Sequence, residues 1–494
     1  MDTSISEQHD AFRNELATIA RNGRRKWIYA RKPSGRLHRA RRALSWVLLA
    51  FLLLAPFITI GGQPLMMLNI LERKFVILGA LFRPQDFYLV VLLGLTALVT
   101  VVLSTVVFGR IWCGWLCPQT VFMEMLFRKL EFAIEGSAEQ QLRRDRGPWT
   151  REKALRRGAK HLIFFALSFV IANVFLAWII GAPALRDIVT DPPPQHLVGL
   201  IAISIFSCVF YLVFARFREQ ACVLACPYGR LLSALTDDRT VTVTYDSRRG
   251  EPRGRLTHGV REPAGDCIDC HQCVTVCPTG IDIRHGIQLE CISCTACIDA
   301  CNAVMERIGR PPGLIRFTSH QAIANEASPS DDISSARAAT AGLPSLAARA
   351  GHLIRSGMSA RSAAYGVVWL ALAGSVATLM AGRPDLDVLI LRQSGTLYAS
   401  VTGGEVANFY TVQALNRTGQ RQVFTIEVVE PRATITLLGP LSEVSPYGLL
   451  EGRVMLRIEP AALAGVSTRV RFSVRTSGGA AQLIESTFVG PGPR

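Results

Sequence analysis

Thirteen cysteines carry the chemistry legible in this chain of 494 residues, and all of them lie between positions 113 and 301. Eight form two copies of one spacing, C-x2-C-x2-C-x3-C: Cys267, Cys270, Cys273 and Cys277, then Cys291, Cys294, Cys297 and Cys301. Such a run holds 4Fe–4S clusters, and where two runs occur the fourth cysteine of each ligates the other cluster. The spacing therefore predicts one cluster on Cys267, Cys270, Cys273 and Cys301 and a second on Cys291, Cys294, Cys297 and Cys277. Two-residue gaps let a short loop wrap three thiolates round one cube, so the fourth must come from elsewhere. Pro278 follows the first run as the motif expects; Asn302 stands in the corresponding place after the second and leaves the ligand set intact. A disulfide framework is excluded if the segment faces a reducing compartment. Zinc sites use paired C-x2-4-C or Cys/His sets instead of a doubled four-cysteine run. His271 and His285 are expected beside the clusters or at the surface, because the cysteine sets are already complete.

Four more cysteines repeat a second pattern. Cys113, Cys117 and Pro118 form one C-x3-C-P motif, and Cys222, Cys226 and Pro227 form another. Each follows a long apolar run. If the motif is helical, the four-residue spacing puts both thiols on one face. A thiol pair suits a soft ion such as Cu(I), a thiol/disulfide couple, or a share in a cluster. Free cysteine also packs as a small hydrophobe, but two matched copies at equivalent positions favour redox or metal chemistry. Arg110, Arg218 and Arg230 supply the basic setting on which thiol reactivity depends. Cys208, inside an apolar run, reads as a packing residue or a member of the redox path.

The elements that must position these residues are membrane-spanning. Hydrophobic residues make up 49% of the chain, mean hydropathy is +0.28 and net charge is +16. A charge that high suits nucleic acid or membrane; here it sits in blocks beside apolar runs, which favours membrane and excludes nucleic acid. Uncharged runs at 43–60, 87–108, 162–182, 197–215 and 363–381 are each long enough to cross a hydrocarbon core of roughly 30 Å, which predicts five transmembrane helices. Residues 1–42 and 109–160 hold eleven Lys/Arg each, whereas 183–196 hold one Arg and two Asp. The excess of positive charge puts the first two segments in the cytoplasm. The double cysteine run is then cytoplasmic and the C-terminus external. The basic tail reads as an anchor attracted to anionic lipid. The external loop 61–86 is apolar enough to lie in the interface or re-enter the bundle. Met66 and Met67 in it are candidate copper ligands, with plain apolar packing as the alternative.

The expected organisation is a basic tail (1–42), a four-helix membrane region (43–217), a two-cluster ferredoxin-like segment (218–320), a linker (321–362), a fifth transmembrane helix (363–382) and an external domain (385–494). Residues 239–246 alternate like a strand before the clusters. The linker is rich in Ala, Ser and Arg, a composition that suits a mobile connection. From 385 onward, short alternating runs at 387–392, 396–401, 409–415, 422–429, 453–458 and 469–475 predict an all-β immunoglobulin-like sandwich. It has no cysteine pair and no catalytic constellation, so it reads as a docking or shielding module.

Taken together, the basic tail, the C-x3-C-P motifs at 113–118 and 222–227, the double run at 267–301, the GRPPGLIRF segment at 309–317 and NFYTVQALNRT at 408–418 resemble the FixG/RdxA/CcoG family of cytochrome c oxidase accessory proteins. The resemblance covers nearly the whole chain. It implies a Cu(II) reductase that supplies Cu(I) for assembly of a cbb-type oxidase in the bacterial inner membrane. Cys113, Cys117, Cys222 and Cys226 would be its copper-handling or redox thiols. It further implies partners among the oxidase subunits or copper chaperones, and a cytoplasmic electron donor that the sequence does not identify. NapH- and NosR-like quinol-oxidising subunits share the same two motifs. The external sandwich, and the lack of an obvious external flavin-binding domain, favour the reductase. A scaffold whose clusters sense redox state is the third alternative.

Overall fold

Four helices among the described residues are long and apolar enough to cross a membrane: Pro84–Phe108, Arg151–Ile180, Pro193–Phe217 and Ala360–Ala381. They correspond to the second to fifth expected spans. The computed structural model describes residues 18–19, 22, 24–254, 265–286, 288–325, 359–395, 397–401, 404–476 and 481–491. Most of the linker expected at 321–362, the beginning of the basic tail and the end of the Gly/Pro/Arg-rich stretch before the cysteines lie outside them. The first expected span, 43–60, behaves differently. A helix runs from Arg36 to Leu54, but its first two turns are basic. The apolar part is short because Pro56 ends the helix and a two-residue strand, Thr59–Ile60, follows.

The chain divides into two units, Met1–Phe57 with Val90–Val376 and Ile58–Leu89 with Ala377–Arg494. In the first, an aromatic cluster fills the bundle. Phe127 stacks on Phe214 at 4.5 Å and meets Phe164 edge-on at 4.9 Å, and Phe122 packs against Phe175, Phe210 and Phe214. A buried ionic network lies beside it. Arg218 donates to both carboxylate oxygens of Glu131, at 2.9 and 2.6 Å, and Lys160 reaches Glu131 and Glu135. Burying charges is tolerable when they are paired in this way. The network ties the helix that follows the first C-x3-C-P motif to the residue four positions before the second.

Below the bundle, Thr242–Tyr245 pairs antiparallel with Ile315–Thr318, so the alternation at 239–246 is a strand and the GLIRF segment is its partner. Val243, Tyr245, Ile281, Ile283, Met305 and Leu314 form an apolar core that includes Cys267 and Cys273. The helix Ala296–Arg307 runs on through Asn302, whose Oδ1 accepts the Gly313 N–H at 2.8 Å. This is why asparagine replaces the motif's proline: the second run exits into a helix, where proline would remove a hydrogen bond and clash.

In the second unit, residues 61–86 form strands instead of a membrane-re-entrant helix. Met66–Asn69, Lys74–Ile77 and Ala80–Phe82 form a three-stranded antiparallel sheet. The C-terminal region is a pair of antiparallel sheets. Thr434–Leu438, Leu449–Ile458, Val406–Asn416 and Leu386–Arg392 lie side by side in one, with Ala399–Ser400 also on Val406–Asn416. Glu443–Val444, Gln422–Glu430, Ser467–Thr476 and Gln482–Val489 make the other. Inward residues alternate along each strand, as a half-buried sheet requires, and Tyr410, Phe424, Phe472 and Phe488 form its centre.

Candidate metal centre

Both cysteine runs fold by the same backbone device. The residues flanking the second cysteine of each run take left-handed dihedrals: Asp269 and His271 at φ 52° and 54° around Cys270, Ser293 and Thr295 at φ 50° and 65° around Cys294. Non-glycine residues rarely sit there, and such strain persists where the surrounding structure demands it. Here it curls each loop round a cavity. One cavity is walled by Cys277, Cys291, Cys294 and Cys297 with Ile281, Ile283 and Ile292. The other is walled by Cys267, Cys270 and Cys301 with Met305, Leu314 and Ile315. Cys273 lines both.

These walls fit 4Fe–4S clusters. Each cavity offers one complete set of the crossed ligands expected from the spacing, in apolar surroundings. Among the described residues no group of three or more His, Cys, Asp or Glu side chains converges on a single metal ion. Burial pushes the thiols of Cys273, Cys291 and Cys301 up to about 12 and that of Cys294 to about 11, with neighbouring thiols adding to the effect at Cys291 and Cys301. Cysteines that hold a metal do so as thiolates, so binding there would release their protons. His271 is no ligand: its Nδ1 lies 2.9 Å from the Arg284 guanidinium, which also pairs with Asp269 and Asp282. His285 ends the short helical turn Ile283–His285.

The C-x3-C-P motifs depart from the helical expectation, and in the same way. Cys113 lies on the short helix Ile111–Trp115 and Cys222 on the π-helical turn Ala221–Ala225. Cys117 and Cys226 then swing to extended backbone, at ψ 124° and 116°. Pro118 and Pro227 open the next helices, Pro118–Phe122 and Pro227–Leu235. The reason is steric, because proline disfavours helical dihedrals in the residue before it and is suited to the first helical position. Both turns close through a backbone bond five residues long, Cys117 N–H to Trp112 O at 2.9 Å and Cys226 N–H to Ala221 O at 3.0 Å. The thiols of the two motifs nonetheless lie near enough to act on one another electrostatically. Cys113 feels the charges of Cys117 and Cys226, and Cys222 those of all three others. Burial pushes Cys222 up to about 12 and raises Cys113 as well, with Arg110 opposing it at both.

Of the three arginines expected to set this environment, Arg110 does so. It is buried, and its guanidinium donates to Leu289 O. Arg218 is instead committed to Glu131, and the side chain of Arg230 lies outside the described residues. Cys208 is exposed on Leu197–Leu212 and lines neither cavity. Met67 packs with Val76, Leu81 and Leu415. Met66, next to it on a strand, faces the opposite way, so the two sulfurs do not form a pair.

Spacing gave no hint of the contact between motif and cluster loop. Cys113 packs with Val276, Ile292, Cys294 and Ala296. Gly114 sits so close to the loop that a Cβ there would lie 2.2 Å from Ile292 O. Trp115 Nε1 donates to Ser293 O at 3.2 Å, and Arg41 Nε to Gly114 O at 2.6 Å. The signal available in sequence was the glycine between Trp112 and Trp115, a position where backbone must approach backbone.

A membrane helix bundle carrying two cysteine-walled cavities defines a membrane iron–sulfur electron-transfer protein, here joined to an immunoglobulin-like domain. A family model described as a 4Fe-4S dicluster domain matches residues 217–320, a 4Fe-4S binding domain matches 90–135, and the IG-like fold at the C-terminal of FixG matches 376–491. The chain is 34% identical to Protein RdxA of Cereibacter sphaeroides over 81% of its own length and 82% of the relative's. It is 32% identical to the nitrogen fixation protein FixG of Rhizobium meliloti over 84% and 82%. A solved FixG-related protein from Vibrio parahaemolyticus aligns over 22% of this chain and 97% of its own, at 22% identity and TM-score 0.19. The chain belongs to the FixG/RdxA family.

Proposed function

We propose that this protein reduces Cu(II) to Cu(I) at Cys113, Cys117, Cys222 and Cys226, for copper-centre assembly in a cbb-type cytochrome oxidase. The observation that supports the reading is the close approach of the first motif to the second cysteine loop, where Cys113 shares an apolar cluster with Ile292 and Cys294 and Gly114 lies against Ile292 O. Cys267, Cys270, Cys273 and Cys301 would hold one cluster, and Cys291, Cys294, Cys297 and Cys277 the other. Bound there, the clusters supply electrons singly, matching the one-electron reduction of Cu(II). The thiols do the rest: soft sulfur ligands prefer Cu(I), so a pair of them favours the reduced ion and retains it for transfer. Arg110 offsets the charge the thiolates carry. In this reading the cysteine runs face the cytoplasm, the helix Arg36–Leu54 completes a fifth crossing, and the sandwich lies in the periplasm as a docking surface for oxidase subunits or a copper chaperone.

The test uses purified protein with its clusters intact, a reductant, Cu(II) and a Cu(I)-specific chelator. Replacing all four thiols by serine should abolish Cu(I) formation while the visible cluster absorbance persists. Unchanged Cu(I) formation would remove the thiols from the mechanism. One observation favours a second reading. The 4Fe-4S binding domain match spans 90–135, where Cys113 and Cys117 are the cysteines, so the four thiols would hold a third cluster. About twelve iron atoms per chain instead of about eight would establish it.

A further inference from the structure

We infer that the cavity between residues 32–42 and 124–132 binds the phosphate group of an anionic phospholipid. The cavity is open and measures about 440 Å³, enough for a phosphodiester headgroup. Seven of the side chains lining it are Lys or Arg, and one, Glu124, is acidic. Two of the cations, Arg41 and Arg128, are 2% and 5% exposed. Buried cations are costly unless an anion compensates them. Glu124 lies 3.3 Å from Arg128 Nη1 and answers part of that charge. Glu219 and Glu131 also act on Arg128, while Asp299, beside residues 37 and 38, is taken by the backbone N–H groups of Leu37 and His38, at 3.2 and 2.7 Å. Among the described residues, His38 Nδ1 in the wall has no hydrogen-bond partner, and Arg128 Nη1 has the ion pair with Glu124 but no hydrogen bond. A phosphate oxygen set would answer both.

The position favours a lipid source over a soluble one. One turn along the helix from Arg42, Trp46 is half-exposed with Lys129 over its ring at 5.1 Å. Tryptophan of this kind marks the membrane–water boundary. Beyond it, Val47, Phe51 and Leu54 are exposed along the same helix and offer a surface for acyl chains. Basic pockets at helix ends are suited to anionic headgroups. This is a specific site, distinct from the diffuse attraction of a basic tail to a charged surface.

The experiment uses the full-length protein, delipidated in detergent with clusters intact. Its affinity is measured for nanodiscs of phosphatidylcholine alone, of phosphatidylcholine with phosphatidylglycerol, and of phosphatidylcholine with cardiolipin. Competition by inorganic phosphate and by ATP is measured alongside. Two charge-matched variants are compared, R39Q/R42Q/K129Q in the cavity and R143Q/R146Q/R151Q elsewhere on the basic loops. The expected result is preferential binding of the anionic discs, weakened about tenfold or more by the cavity variant and much less by the other. Displacement by inorganic phosphate or ATP at low concentration would keep the phosphate site but assign it to a soluble ligand, overturning the lipid source. Equal losses in the two variants, or no preference for anionic discs, would overturn the site altogether.

Discussion

At the residue scale, the contact that matters most is made by a glycine. A methyl group on Gly114 would meet a backbone oxygen at 2.2 Å, which cannot rotate away as a side-chain end can. Gly114→Ala must separate the Cys113 helix from the second cysteine loop. We expect a stability loss of about 1–3 kcal/mol, as for other overpacked sites, and a slower Cu(I) formation rate at unchanged iron content. A wild-type rate would show that the close approach is dispensable. His38 supports a pH prediction. Its pKa is lowered from 6.5 to about 4, first by burial and then by Arg41, Arg42 and Lys129, against the pull of Asp299. The folded form therefore holds His38 neutral, while the unfolded chain takes up a proton first as pH falls. Stability should be lost between pH 6.5 and about 4. In lipid-free detergent the apparent Tm should decline across that window, and His38→Gln should flatten part of the decline. The same pH profile in both proteins would exclude His38 as a contributor.

At the element scale, the two C-x3-C-P motifs are one design used twice. A helical turn carries the first thiol, proline breaks the turn, and the second thiol sits in extended backbone before a new helix. A continuous helix would present the pair along one face; the broken one lets both pairs gather beside Arg110. The double run shows the opposite economy. Its two copies share their left-handed turns but leave differently, the first through Pro278 and the second through a continuing helix. Asn302→Pro, which would restore the motif's usual residue, should cost about 3 kcal/mol or more and lower the iron and sulfide content. Asn302→Ala removes one hydrogen bond and should cost about 1 kcal/mol. If the proline variant retained full cluster content and stability, this account of the second exit would be wrong.

At the scale of the whole molecule, charge distribution and helix length together argue for direction. The basic segments before Leu44 and between residues 109 and 160 lie at ends of the apolar helices, so one face of the membrane holds both the thiol group and the cysteine runs in the proposed arrangement. A reporter active outside the cytoplasm should therefore work when fused to the C-terminus and fail when inserted near residue 140. Activity at both positions, or the reverse pattern, would overturn the five-crossing arrangement. The helix Arg36–Leu54 is the element on which that count turns. At 1.5 Å per residue it is about 28 Å long, but four arginines occupy its first two turns.

Much of this was determined by residue type and spacing, which act locally. Eight cysteines at fixed intervals announce paired clusters because thiolate ligation is a short-range geometric demand. Long uncharged runs announce helices because the bilayer leaves backbone groups no other partner. Alternation announces the sandwich because strand side chains point to opposite faces, although Gln482–Val489 escaped notice with polar Ser486 on its inward side. Tertiary structure alone decided what lies against what. Arg218 and Arg110 look equivalent in sequence, yet one is consumed by Glu131 and the other serves the thiols. Cys113 and Cys294 are 181 positions apart, and nothing in either motif states that they share one apolar cluster. Such pairings depend on how whole elements pack, and packing is set by the sum of many contacts that no single spacing encodes.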